Sequence, residues 1–330
     1  MRVSFEPQPV YFMHVPKTGG TAFGKWLHVN YSRHSYIDLG VPKLGHLTQE
    51  TLHSFTCYHD WHHGRGMFNL VGRSDLPVIT LLRTPVERAV SEFYERQRAF
   101  AHNPATYHEE YHQQIAPVIA QPLTACIDQE FVRHYLTNVQ TTCLGKQIDY
   151  APFLKGGAQA AAGNSMLRPY HLTDQIGQSD HARRLSNARA WLNEMPVVGL
   201  TERYAESLLL IADLLGIPVP TEPPRANVNP QRTDPAMRYR DQLAPDVVAR
   251  LEELNRYDLE LHAHATELFE QQWARYRAKP QRTYSIAPRL RIPLRRTESR
   301  LKSWLRRTWP GLVEEVRRRR TAYRSQQRRR

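Results

Sequence analysis

The chain has 330 residues, 41% hydrophobic and 23% charged, which is enough to bury a sizeable core and too balanced for a disordered or fibrous protein. Its formal charge of +13 suits a nucleic-acid binder, but residues 276–330 hold 19 of the 45 Lys and Arg and 3 of the 32 Asp and Glu, a net +16, so residues 1–275 carry −3 and no nucleic-acid partner is expected. Three scattered cysteines (Cys57, Cys126, Cys143) give neither a disulfide framework nor zinc spacing, no run of about 18 apolar residues offers a spanning helix, and no apolar signal region opens the sequence, so the cytoplasm is the expected compartment.

Val10–Val15 is a short apolar run and predicts a buried strand. It meets Pro16-Lys17-Thr18-Gly19-Gly20-Thr21, and a helix is expected from Thr21 to Tyr31 with Phe23, Trp26 and Leu27 on one side. Strand, glycine turn and helix in this order can cradle an anion, because successive N–H groups at a helix start face outward and the dipole adds to their attraction. Lys17 adds a charge, and Thr18 and Thr21 add hydroxyls. The loop is not a Walker A sequence, and the plain alternative is a strand-to-helix turn with an incidental lysine.

Ser54–His59 predicts a second strand that runs into Asp60-Trp61-His62-His63-Gly64. Pro77–Leu82 predicts a third, stopping at Arg83-Thr84-Pro85, where Thr84 can cap a helix reaching Ala101 and Pro85 suits its first turn. An arginine at the carboxyl end of a parallel strand points into the crevice where open α/β sheets bind ligands, and its fork matches two phosphate oxygens. Ser91 lies two turns into the helix and can donate to the same group; Arg88, one turn before Ser91, can as easily pair with Glu87 or Glu92 on the surface. Residues 107–144 read as helices, 155–163 as a Gly/Ala loop, 179–194 as a helix and Pro196–Leu200 as a further strand. Tyr204–Leu215 is an amphipathic helix closed by Gly216 and Pro218, 219–233 a proline-rich loop, and 244–278 helical.

Buried strands alternating with helices predict an α/β, P-loop-like three-layer fold, a central parallel sheet flanked by helices. Residues 1–279 form the expected domain, and 280–330 a basic, partly helical or disordered extension. In that extension Trp304, Leu305, Trp309, Leu312 and Val316 interleave with arginines. A solvated tail, a peripheral contact with the anionic inner face of a membrane, and a docking patch for an anionic glycan all fit this composition.

Taken together, His14-Val15-Pro16-Lys17-Thr18-Gly19-Gly20-Thr21 and Leu82-Arg83-Thr84-Pro85-Val86-Glu87-Arg88-Ala89-Val90-Ser91 resemble the two donor motifs of the PAPS-dependent sulfotransferases, in particular the group with heparan sulfate 2-O- and 6-O-sulfotransferases and bacterial members. Thr84 stands where that group usually has aspartate, and the resemblance runs from Val10 to Asn229, with Asn138–Leu144 and Val198–Arg203 as weaker segments. It implies transfer of a sulfuryl group from 3′-phosphoadenosine 5′-phosphosulfate (PAPS), which leaves as PAP, to an acceptor hydroxyl, on a carbohydrate in the nearest group. It assigns Lys17, Thr18, Gly19, Gly20 and Thr21 to the phosphosulfate and Arg83 and Ser91 to the 3′-phosphate. Lys17 also fits the cation that holds charge on the departing phosphate.

In the resembled group a histidine after the second strand supplies the base. Here that place reads Tyr58-His59-Asp60-Trp61-His62-His63, without the usual glycine; His59 ranks first, then His62 and His63, with Asp60 able to orient one of them or act instead. A zinc set from His59, Asp60, His62 and His63 is weaker, since adjacent ligands in one loop lack a second cluster; no metal is expected. Two other functions compete. A P-loop kinase-like protein would need Walker A and a strand-end aspartate for magnesium. A non-catalytic glycan- or membrane-binding protein would be a relic, against which the intact Lys17, Arg83 and Ser91 speak. His14 reads as a packing residue, Asn227 and Asn229 as turn residues, and Arg225 as a loop cation.

Overall fold

Among the described residues five strands, each four or five residues long, are too short to stand alone and are held by pairing and by helices on both faces. They are β1 (Val10–His14), β2 (Tyr36–Leu39), β3 (Cys57–Trp61), β4 (Val78–Leu82) and β5 (Val197–Leu200). All pair in parallel in the order β2-β3-β1-β4-β5. The computed structural model describes residues 7–32, 34–40, 44–102, 116–151, 154, 180–224, 229 and 237–279. The basic segment 280–330, the Gly/Ala loop 155–163, Arg225 and Asn227 lie outside the described residues.

β1 and β4 are buried at every position, as central strands covered on both faces require. The register sets Phe12 beside His59 on one side and Ile79 on the other. After β1 the chain moves out to β2 at the edge, returns to β3, then crosses β1 to reach β4. The carboxyl end of β1 is therefore the switch point, where such sheets open a binding crevice.

One strand assignment shifts, and one strand was not expected. β3 begins three residues later than its apolar composition suggests: Ser54 caps the preceding helix α2 (Gln49–His53) through its N–H to Thr51, and Thr56 N–H goes to Ser35. His59 is thus mid-strand, and Asp60 and Trp61 are strand residues. β2 carries no buried run to announce it, since Tyr36 and Asp38 are only half-buried at the sheet edge.

The remaining α-helices among the described residues are α1 (Gly20–Asn30), α3 (Arg65–Val71), α4 (Pro85–His102), α5 (Leu123–Cys126), α6 (Glu130–Leu136), α7 (Val139–Gly145), α8 (His181–Glu194), α9 (Tyr204–Leu215), α10 (Pro245–Leu254) and α11 (Arg256–Ala278). None of the described helices is long and apolar enough to cross a membrane. α4 has two working faces. Val86, Ala89, Val90 and Phe93, at helical spacing, join Leu123, Val132, Leu136, Val247 and Leu251 in a second apolar cluster beside the main core. Glu87, Ser91 and Glu95, at i, i+4 and i+8, form another stripe. Arg88 does not make the surface pair. It is fully buried and donates from Nη2 to the carbonyls of Tyr135 and Leu136 at 3.1 Å, satisfying the last turn of α6.

Candidate active site

The turn between β1 and α1 is shaped for an oxyanion. Lys17 (φ 67°) and Gly19 (φ 85°) both lie in the left-handed region, which bends successive N–H groups inward. Among the described residues the N–H groups of residues 17–21 donate to no backbone carbonyl; pairing resumes at Ala22 and Phe23, which donate to Gly19. The Thr18 hydroxyl is turned into the loop, donating to Val15 at 2.8 Å, so its side chain is not turned outward. Lys17 Nζ donates to Glu95 Oε2 at 2.6 Å.

Arg83, at the end of β4, reaches this turn. Its Nη1 donates to the Lys17 carbonyl at 3.3 Å, its Nη2 to Glu87 Oε2 at 3.2 Å, and its guanidinium lies 5.9 Å from the Tyr239 ring centre. Ser91 is half-buried on the stripe between the two carboxylates that hold Arg83 and Lys17. The two sequence motifs thus meet in space, with α4 running alongside both.

Three further side chains brace them. Gln140 takes the Arg83 N–H on Oε1 at 3.0 Å and donates from Nε2 to the Arg83 carbonyl at 2.8 Å. The Thr201 hydroxyl lies 2.7 Å from the Thr18 carbonyl and 3.0 Å from that of Leu82, bridging the ends of β1 and β4. Glu202 Oε1 accepts from Thr84 N–H and Oγ1 at 2.7 and 2.6 Å. Burial works against a charged Glu202, yet His262 at 3.6 Å and the two Thr84 donors hold its carboxyl down at about 2.

Strand alternation divides the histidines. His59 and Trp61 face α1, and Asp60 between them faces the other way. His59 Nε2 shares a hydrogen bond of 3.0 Å with His14 Nδ1, and His59 Nδ1 lies 2.6 Å from the Tyr36 hydroxyl. Asp38 is 3.6 Å from the same nitrogen and accepts from Trp61 Nε1. α1 can lie this close only because of its glycines. A Cβ on Gly20 would sit 2.1 Å from the His14 ring, and one on Gly24 2.4 Å from the His59 ring. His62, with φ 70°, places Nδ1 2.6 Å from the His14 carbonyl. Burial, with His62, His59 and Lys17 nearby, pushes the His14 imidazole well below its usual range, and burial takes His62 to about 3 despite that carbonyl.

On the opposite side, fully buried Asp60 accepts from His63 Nδ1 at 2.6 Å and from the N–H groups of His63 and Gly64 at 3.1 and 3.2 Å. Among the described residues no group of three His, Cys, Asp or Glu side chains is arranged to hold a metal. Nearby, burial lowers the Lys146 amine to about 8, and its Nζ has no hydrogen-bond partner among the described residues.

A family model described as the sulfotransferase family matches residues 4–264, most of the chain. The chain belongs to the sulfotransferase family. It is also 25% identical to heparan-sulfate 6-O-sulfotransferase 2 of Danio rerio over 90% of its own length, and spans 65% of the length of that relative. The parallel five-stranded sheet with flanking helices is the P-loop-like α/β architecture expected of such a sulfotransferase.

In this member of the family, Lys17, Arg83 and Ser91 lie around one turn, while His59, His62 and His63 separate into two clusters. Sequence reasoning missed Glu95, Gln140, Thr201 and Glu202 and took His14 for simple packing. A signal for all three braces was present, because Asn138–Leu144 holds Gln140 and Val198–Arg203 holds Thr201 and Glu202, and both segments stood out as family segments before they had a role. Glu95 lies four residues after Ser91, on the face the motif already defined.

Proposed function

We propose that the protein transfers the sulfuryl group of PAPS to a hydroxyl of a carbohydrate acceptor, in line, with a histidine taking the acceptor's proton. The observation that carries this reading is the junction of the two motifs: Arg83 donates to the Lys17 carbonyl beside a run of N–H groups that pair with no backbone carbonyl among the described residues. One anion at a helix start would fit many ligands. A second cation at the neighbouring strand end, with a serine between, fits a nucleotide with phosphates at both ends. The carbohydrate acceptor is suggested by the relative from Danio rerio, a heparan-sulfate 6-O-sulfotransferase.

In this reading PAPS supplies an activated sulfuryl group. The bond from sulfur to the 5′-phosphate oxygen breaks and leaves its electron pair on that oxygen, while the acceptor oxygen bonds to sulfur and gives up its proton. Lys17 and the N–H groups of residues 17–21 hold the charge that develops on the phosphate. Arg83 and Ser91 hold the 3′-phosphate and fix the nucleotide along the crevice. His59 is the assigned base, because it is joined through His14 to the phosphosulfate turn; the acceptor hydroxyl takes the position of the Tyr36 hydroxyl at Nδ1. The Asp60–His63 pair supports a second assignment, since Asp60 orients that imidazole at Nδ1 and leaves Nε2 for a proton.

The test is transfer of labelled sulfate from PAPS to a panel of glycans, with Lys17→Ala, His59→Ala and His63→Ala beside the wild type. Lys17→Ala should abolish measurable transfer. The histidine that is the base should lose about 10²–10⁴-fold in kcat on removal, with PAP affinity unchanged. No transfer by the wild type to any acceptor, or full transfer by Lys17→Ala, would overturn the reading.

A further inference from the structure

We propose that Glu95 is the resting counter-ion of Lys17, a positioning residue that competes with the ligand's 5′-phosphate and so limits how tightly the site holds its nucleotide. This rests on the assignment of Lys17 to the phosphosulfate. Lys17 Nζ has 15% of its side chain exposed and is bonded to Glu95 Oε2 at 2.6 Å. That same oxygen is 3.3 Å from Arg98 Nη2. Glu95 therefore stands between two cations, one inside the turn and one along its own helix, three residues on.

The contrast with Glu87 makes the assignment specific. Glu87 also faces a motif cation, but it is buried and fixed, taking the Arg240 N–H on Oε1 at 2.9 Å and Arg83 on Oε2. It belongs to the framework. Glu95 has 38% of its side chain exposed and accepts no backbone N–H among the described residues, so it can move. A 5′-phosphate in the turn brings more negative charge to the Lys17 ammonium than one carboxylate does. Lys17 then turns to the phosphate, and Glu95 keeps Arg98, so no carboxylate is stranded. Binding becomes an exchange of ion pairs rather than the filling of a bare cationic site. When PAP leaves, Glu95 takes Lys17 back, which eases release of a product that keeps the phosphate.

The experiment is calorimetric titration of the full chain with PAP, for the wild type, Glu95→Gln, Lys17→Ala and the double variant. Glutamine keeps the size and the helix position and removes the charge. Glu95→Gln should bind PAP about threefold to tenfold more tightly, the scale of a part-buried ion pair. In the Lys17→Ala background the same change should leave affinity within about twofold, because Glu95 acts only through Lys17. Unchanged or weaker binding by Glu95→Gln overturns the proposal while leaving the nucleotide site standing. Equal tightening in both backgrounds also overturns it, since the effect would then be general charge. A wild type that does not bind PAP overturns the nucleotide reading itself.

Discussion

Arg83 sits where β4 ends and ladder hydrogen bonds run out, and a single amide takes over. Gln140 pairs with both the N–H and the carbonyl of Arg83, as a neighbouring strand would. This fixes the backbone from which the guanidinium reaches the turn. Gln140→Met keeps the volume and removes two hydrogen bonds to the Arg83 backbone, at a cost of about 1–3 kcal/mol. PAP affinity should fall by about tenfold, read by titration, with the sheet intact by circular dichroism; unchanged affinity would show that Arg83 is held by its side chain alone. The motif residues were legible because a cradle or a strand-end arginine is written in a few consecutive positions. Their braces were not. Gln140 lies 57 residues from Arg83, and Thr201 lies 183 from Thr18, so nothing local in the sequence joins them. His14 was read as packing for the same reason: its partner His59 is 45 residues away.

Gln140 is itself placed by a junction of two helix starts. The four leading N–H groups of a helix have no partner within it. Here α7 and α11 satisfy each other's. Asn138, at φ 45°, accepts from the N–H groups of Tyr257 and Asp258 at 3.0 and 3.2 Å. Asn255 accepts from Asn138 N–H at 3.1 Å, and buried Asp258 accepts from Gln140 and Thr141 at 3.0 and 2.7 Å. Burial raises the Asp258 pKa, with Arg88 and the α7 donors opposing it. Asn138→Ala loses the cap and forces a Cβ-bearing residue without a polar group into the left-handed region, about 2–3 kcal/mol together. Asn138→Gly keeps the conformation and should cost about 1–2 kcal/mol, only the cap. Urea unfolding measures both, and equal losses would mean that the backbone conformation carries no strain. At this scale the sequence announced the buried strands and long helices through their apolar period. It did not announce β2, whose half-buried Tyr36 and Asp38 take part in the histidine cluster, nor the late start of β3, set by hydrogen bonds from Ser54 and Thr56 to distant or preceding turns.

The sheet as a whole decides what the histidine-rich turn can do. Because β3 continues through Trp61, its residues alternate between faces. His14 and His59 lie under α1, Asp60 with His63 lies on the far side, and His62 folds back to the His14 carbonyl. One sequence cluster becomes two, which separates the His14–His59 pair from the carboxylate-held imidazole of His63. It also loads the molecule with buried neutral histidines. The imidazoles of His14 and His62 have folded pKa values below the unfolded value near 6.5. The unfolded chain therefore binds protons that the native state refuses, and stability present above pH 6.5 is lost as pH falls from there toward 3. His181 is lowered in the same direction by burial. Glu202, held at about 2, adds its own loss only below the unfolded carboxylate range near 4.5, so the interval from pH 7 to 5 belongs mainly to histidines. His62→Asn removes one titrating group and suits the left-handed backbone there, since asparagine tolerates positive φ. The wild type should lose up to about 2 kcal/mol more than this variant between pH 7 and pH 5, from about 1.4 kcal/mol per pH unit below 6.5. Urea midpoints at the two pH values measure the difference. Parallel loss in both proteins would mean that His62 stays protonatable in the native state and is not held neutral against the His14 carbonyl.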